Sequence, residues 1–147
     1  MKIRMIKKRE IEDAIKIIHQ NYPEIDKEKP KKEIMEMFGK ALIKPVYLVA
    51  EENKKILGIA GYIQSFQDYN IYEIFWVNVA KEKQGNGIGT KLVKSVIKRI
   101  RGIKGELKKA ELIELTTTKP QFYEKKFGFK LLSTFGNKEY LMGLVLK

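Results

Sequence analysis

Val79-Ala80-Lys81-Glu82-Lys83-Gln84-Gly85-Asn86-Gly87-Ile88-Gly89-Thr90 is the stretch on which the fold turns. Before it, Ile71–Val79 is rich in β-branched and aromatic residues and reads as a strand. After it, Leu92, Val93, Val96, Ile97 and Ile100 recur at helical spacing. A helix is therefore expected over Thr90–Arg101, stopped by Gly102. A strand thus runs into closely spaced glycines and a helix begins at once. Free backbone N–H groups at a helix start attract anions. Glycine lets the chain approach such an anion with no Cβ in the way. A phosphate or pyrophosphate is the expected ligand of this loop.

Working outward, the spacing predicts a strand over Met1–Lys7 and an amphipathic helix over Lys8–Gln20, from Ile11, Ala14, Ile15 and Ile18. His19 then falls on the helix's polar side and is expected to be solvated. Asn21–Lys29 is a polar connection carrying Glu24, Asp26 and Glu28. A second helix follows, with Pro30 in its first turn, a stripe of Ile34, Phe38, Ala41 and Leu42, and a stop at Pro45. Val46–Glu51 and Ile56–Gln64 read as a hairpin around Glu52-Asn53-Lys54-Lys55. Beyond the glycine loop and its helix, Ile103–Ala110 is a loop and Glu111–Thr117 a strand. Pro120–Phe127 is a short helix closed by Gly128. Phe129–Phe135 and Glu139–Leu146 are two last strands. The order β α α β β β α β α β β implies a mixed α/β fold, in which a mostly antiparallel sheet is flanked by helices.

The chain has 147 residues, which suits one domain over residues 1–147 and a core that needs no staples. It has no cysteine and one histidine, so thiolate sites, disulfides and multi-histidine metal sites are excluded. No apolar run is long enough to span a bilayer, and no signal-peptide pattern is seen, so a cytoplasmic protein is expected. The net charge of +12 could attract a polyanion. It is carried mainly by scattered lysines, whereas specific nucleic-acid recognition favours arginine forks. Nucleic acid is accordingly set aside as the main partner, and no membrane partner is expected. A monomer or a homodimer is equally compatible.

The loop lacks the Gly-x-x-x-x-Gly-Lys-Ser/Thr pattern of a P-loop. It also departs from the Gly-x-Gly-x-x-Gly of a dinucleotide fold, and it comes late in the chain. Gln84-Gly85-Asn86-Gly87-Ile88-Gly89 instead resembles the acetyl-CoA loop of the GNAT acetyltransferase family, commonly written Arg/Gln-x-x-Gly-x-Gly/Ala. Phe122-Tyr123-Glu124-Lys125-Lys126-Phe127-Gly128-Phe129 resembles the family's Phe-Tyr-x-x-x-Gly-Phe segment, with one extra residue before the glycine. Leu115-Thr116-Thr117-Thr118 resembles members that acetylate small molecules. The plain alternative, a tight turn without a ligand, suits one glycine better than three.

The resemblance implies transfer of acetyl from acetyl-CoA, as co-substrate and without a metal, to a primary amine. Val77 and Val79 would pair with the pantetheine arm as an added strand does. Gln84, Gly85, Asn86, Gly87, Ile88, Gly89 and Thr90 would hold the pyrophosphate. A backbone N–H near Val79 would stabilise the oxyanion. Tyr123, protonated at neutral pH, would give a proton to the departing sulfur. Glu73 is the candidate base, expected to share a strand face with Phe75, Val77 and Val79 and to have a raised pKa there. Ordered water is the alternative base. Trp76 is expected on the opposite face, in the core. Two rivals remain: a non-catalytic acyl-CoA sensor of the same fold, and a basic RNA-associated domain.

Overall fold

The computed structural model describes residues Met1–Lys147. Seven strands form one sheet: β1 (Lys2–Met5), β2 (Val46–Glu52), β3 (Lys55–Gln64), β4 (Ile71–Val79), β5 (Leu112–Thr117), β6 (Lys130–Phe135) and β7 (Glu139–Val145). Four helices flank it: α1 (Ile11–Asn21), α2 (Glu28–Met35), α3 (Ile88–Arg101) and α4 (Pro120–Phe127). The spatial strand order is β1-β2-β3-β4-β5-β7-β6. Every neighbouring pair is antiparallel except β4 and β5. That parallel pair is joined through α3, as a crossover connection requires. The β2–β3 hairpin turns on Asn53 and Lys54, both at positive φ, the geometry that matches the twist of its strands.

Each face of the sheet has its own core. Ile11, Ala14, Ile15 and Ile18 of α1 and Ile34 of α2 pack on Tyr47, Val49 and Ile59. On the other face Ile88, Leu92, Val93, Val96 and Ile100 of α3, with Tyr123 of α4, pack on Leu48, Ala60, Tyr72, Ile74, Ile113 and Leu115. Apolar alternation along the central strands feeds both layers, so these strands have no wet face.

Three expectations are corrected. The second helix stops at Met35, and a single 3-10 turn, Glu36–Phe38, follows it. Gly39 then leaves in an extended conformation. Leu42, placed in the buried stripe from its spacing, is 92% exposed, and Phe38 is also exposed. Apolar residues at helical intervals across a glycine did not belong to one helix. His19 is not solvated: it is half-buried, and its Nδ1 is sealed without a hydrogen-bond partner. The third correction concerns β4. Between Phe75 and Asn78 it carries one more residue than β3 does between Ile59 and Gly61, and Trp76 has φ of 50°. This bulge resets the alternation. Phe75 and Trp76 both pack toward α1 and α2, whereas Val77 and Val79 pack toward α3. Glu73 therefore does not share a face with Val77 and Val79, and Trp76 is not opposite it.

Candidate active site

β4 and β5 pair only at their beginnings, Ile71–Glu73 against Leu112–Glu114. Beyond that point they part, and β5 continues beside β7 alone. The split opens a cleft of about 1370 Å³, lined on one side by Ile74–Val79 and on the other by Leu115–Lys119 and α4. A strand edge normally seeks a partner. Here the edge of β4 from Ile74 to Val79 faces a cavity instead of β5.

The glycine loop closes one end of this cleft. Gly85 and Gly87 adopt φ of 84° and 79°, a region costly for any residue with a Cβ. Helix α3 begins at Ile88, two residues before its expected start, with Gly87 as its N-cap and no side chain capping it. Its first backbone bond runs from Lys91 N–H to the Gly87 carbonyl, so the N–H groups of Gly85 through Thr90 have no acceptor in the chain. Gly85, Gly87, Ile88, Gly89 and Thr90 line the cleft, with Lys83 and Lys126 beside them. Such a row of unpaired donors at a helix start, with added cations, is an anion cradle.

The side chains of Gln84 and Asn86 do other work. Gln84 Nε2 donates to Asn21 Oδ1 at 2.9 Å and to the Val79 carbonyl at 3.0 Å. Asn21 Nδ2 in turn donates to Asn78 Oδ1 and to the same carbonyl, both at 3.0 Å. The end of β4 is thereby tied to the end of α1, which holds the loop open against the cleft. Asn86 Nδ2 donates to the Lys83 carbonyl at 3.0 Å, closing the turn before the loop, and Asn86 does not line the cleft.

Tyr123 lines the cleft from α4, held among Phe122, Phe127 and Phe129 at centroid distances of 5.0 to 5.9 Å. Pro120 opens α4 and Gly128, at φ of 79°, ends it. The extra residue ahead of Gly128 is absorbed there: the Phe129 N–H reaches back to the Tyr123 carbonyl at 3.3 Å. Burial, with Tyr22 across the cleft adding to it, pushes the Tyr123 hydroxyl well above the ordinary tyrosine range. Glu73 is not among the lining residues. It sits where β4 and β5 part, in register with Glu114. Burial first, and then the Glu114 carboxylate, hold its pKa above the usual carboxylate range, while Ser65 partly offsets them.

The other end of the cleft was not foreseen from the sequence. Tyr22, Glu33, Glu36, Tyr47, Trp76 and Glu139 line it. Trp76, assigned to the core from strand alternation, is turned there by the bulge. Its Nε1 donates to Glu33 Oε1 at 2.8 Å, and its ring meets Tyr22 edge-on at 6.3 Å. None of Glu24, Asp26 and Glu28 lines the cleft. Asp26 instead accepts from the Glu28 N–H at the start of α2, at 3.0 Å. The pairing of Tyr47 with Gly61 across β2 and β3 was the one legible signal, a large ring opposite a residue without a side chain.

Comparison with known proteins agrees with this architecture. A family model described as "Acetyltransferase (GNAT) family" matches residues 11–129. An aminoglycoside 6'-N-acetyltransferase complexed with coenzyme A superposes with a TM-score of 0.78 at 18% identity, over 99% of this chain and 97% of that one. The PaiA N-acetyltransferase of Thermoplasma acidophilum, in complex with coenzyme A, gives 0.72 at 20% identity over 99% and 100%. The ribosomal-protein-alanine N-acetyltransferase of Brucella melitensis gives 0.74 at 18% identity over 99% and 100%. No curated protein matches the chain. At these identities the superpositions speak for the fold, and the acceptors named differ among them. With the family model covering most of its length and the glycine loop within the matched span, the chain belongs to the GNAT acetyltransferase family.

Proposed function

We propose that this chain transfers the acetyl group of acetyl-CoA to a primary amine, as one cytoplasmic domain spanning residues 1–147. The observation that carries the reading is a shared cleft. Gly85, Gly87, Ile88, Gly89 and Thr90, whose N–H groups are unpaired, and the Tyr123 side chain line the same cavity, beside a strand edge that β5 leaves unused. These residues fit the cosubstrate. A Cβ built on Gly85 or Gly87 would meet nothing within 4 Å, so the space before the loop is open to a pyrophosphate. The free edge of β4 around Val77–Val79 suits the amide-bearing pantetheine arm. Lys83 and Lys126 add positive charge.

Bound there, acetyl-CoA supplies an acetyl thioester as the electrophile. The chain's residues position the amine and move protons. Tyr123 Oη, protonated at neutral pH and held so further by burial, gives its proton to the departing sulfur. An ammonium has no lone pair, so one proton must leave the amine before attack. Glu73, behind the lining at the apex of the cleft, accepts that proton through water. Thr116, Thr117 and Thr118 along the β5 wall supply hydroxyls for a small polar acceptor.

Calorimetric titration with acetyl-CoA, against CoA, ATP and NADH, tests the first half. Micromolar binding of acetyl-CoA with no response to ATP or NADH is expected. An amine screen for CoA release tests the second. Absence of acetyl-CoA binding would overturn the reading, and binding without transfer to any amine would mark a sensor.

A further inference from the structure

We infer that the acceptor carries a second ammonium group, and that Glu33, Tyr47 and Trp76 hold it at the α2 end of the cleft. The inference rests on the transferase reading above and names the class of its amine. The first observation is the segregation of charge along one cavity. Lys83 and Lys126 line the end beside the glycine loop, whereas Glu33 and Glu36, together with Lys29, line the end beside α2. Glu139 lines the β7 wall on that same sheet face. In a chain of net charge +12, an excess of carboxylates in this one place runs against the overall balance. It selects for a cation.

The second observation is independent of those carboxylates. Tyr47 is only 1% exposed, yet it lines the cleft. Gly61 explains how. A Cβ at Gly61 would lie 2.5 Å from Tyr47 Cε1 and 2.7 Å from Phe75 Cε1. Without that Cβ the Tyr47 ring passes over Gly61, 5.8 Å from the Phe75 ring, and the side chain borders the cavity. There it feels the Glu33 charge but makes no hydrogen bond within the protein. His19 Nδ1 alone is sealed without a partner, so the Tyr47 hydroxyl, itself unpaired, is open to the cleft and to a ligand. An ammonium placed between Tyr47 and Glu33 would satisfy both, donating to the phenol oxygen and to the carboxylate.

Trp76 completes the subsite. Its indole N–H orients one Glu33 oxygen, and its ring, with that of Tyr22, offers an aromatic face to a cation. Lys29 Nζ lies 2.9 Å from the other Glu33 oxygen. That pair is exposed, at 61% and 42%, so it is weak and a substrate ammonium can displace it. The division of labour follows from the chemistry. The reacting nitrogen must be neutral, whereas the nitrogen held by Glu33 stays charged.

Trp76 is the sole tryptophan, so its fluorescence reports on this subsite directly. Diaminobutane and butylamine are titrated into the full chain, with and without CoA. The diamine is expected to bind at least about tenfold more tightly, the scale of one charge-assisted hydrogen bond. Glu33→Gln should remove that preference. Tyr47→Phe should reduce it, and Lys29→Ala, which frees Glu33, should strengthen it. In transfer assays the same preference should appear mainly in KM. Equal affinity for the two amines, or a preference that survives Glu33→Gln, would overturn the inference. The titration without CoA decides this even if acetyl-CoA fails to bind, an outcome that would sink the transferase reading instead.

Discussion

Tyr123 and Tyr47 are both nearly sealed, at 7% and 1% exposure, yet both line the same cleft from opposite sheet faces. Their burial raises both hydroxyl pKa values above the ordinary tyrosine range, so both keep their protons to higher pH than an exposed phenol would. Tyr123→Phe keeps the ring and removes only the proton. It should lower kcat by about a hundredfold while leaving acetyl-CoA affinity unchanged, as steady-state kinetics and calorimetry would show. The raised pKa sets the pH dependence of the wild type. Tyr123 stays protonated above its ordinary value of about 10, so kcat should not fall through its ionisation below that pH. A decline centred near neutrality that vanishes in Tyr123→Phe would contradict the role. Gly87 is a different case at the same scale. Its φ of 79° and the open space around it mean that a methyl group would meet no neighbour. Gly87→Ala should therefore cost about 1–2 kcal/mol in backbone strain alone. It should also weaken acetyl-CoA binding as the loop shifts, which thermal melts and calorimetry would separate. The glycines and Tyr123 were legible in the sequence because their spacing is local. The partner at Gln84 was not, since Asn21 lies 63 positions away.

Among the elements, β4 decides the site. Its bulge moves Trp76 into the cleft, points Val77 and Val79 toward α3, and leaves Glu73 behind the lining. Strict alternation misplaced Trp76, Val77 and Val79 relative to Glu73, because a one-residue insertion inverts every later side chain. Nothing in the residue types between Phe75 and Asn78 announces it. The adjoining strand matters equally through Gly61, where Tyr47 and Phe75 cross. Gly61→Ala should destabilise the fold by about 2 kcal/mol, the cost of forcing a methyl into packed rings. It should also tilt the Tyr47 ring out of the cleft. Urea unfolding measures the first effect, and the fluorescence titration with diaminobutane measures the second. An unchanged midpoint would mean the rings move aside freely. The end of α2 shows the opposite limit. Phe38, Ala41 and Leu42 kept the helical interval, but Gly39 had already let the chain go.

At the scale of the whole molecule, the sheet's first edge is fastened by one ionic cluster. Arg4 of β1 meets Glu51 of β2 at 2.6 Å and Glu10, at the start of the first helical segment, at 2.7 Å. The Arg4 guanidinium holds the Glu10 carboxyl below its usual range, aided by the Lys7 N–H and opposed by burial. A carboxyl whose pKa is lower in the folded state stabilises the protein above its unfolded pKa, about 4.3. That contribution is lost as pH falls through the folded value. Arg4→Ala should cost about 1–2 kcal/mol near neutral pH and less at acid pH, where protonation of Glu10 breaks the pair. Urea titrations of both proteins at the two pH values would check this. Equal losses at both would assign the effect to packing of the arginine stem.

The element order, the glycine loop and the α4 segment were all readable from the chain, because each is written in neighbouring residues: period, turn chemistry and contiguous motif. The sheet order, the parting of β4 from β5, and the wall of Tyr47, Glu33 and Trp76 were set only on folding. They bring together residues from β2, α2 and β4, and they depend on a bulge and on a missing Cβ at Gly61. Local sequence carries local conformation. Which side chains meet across a cleft depends on register, and register is a property of the assembled sheet.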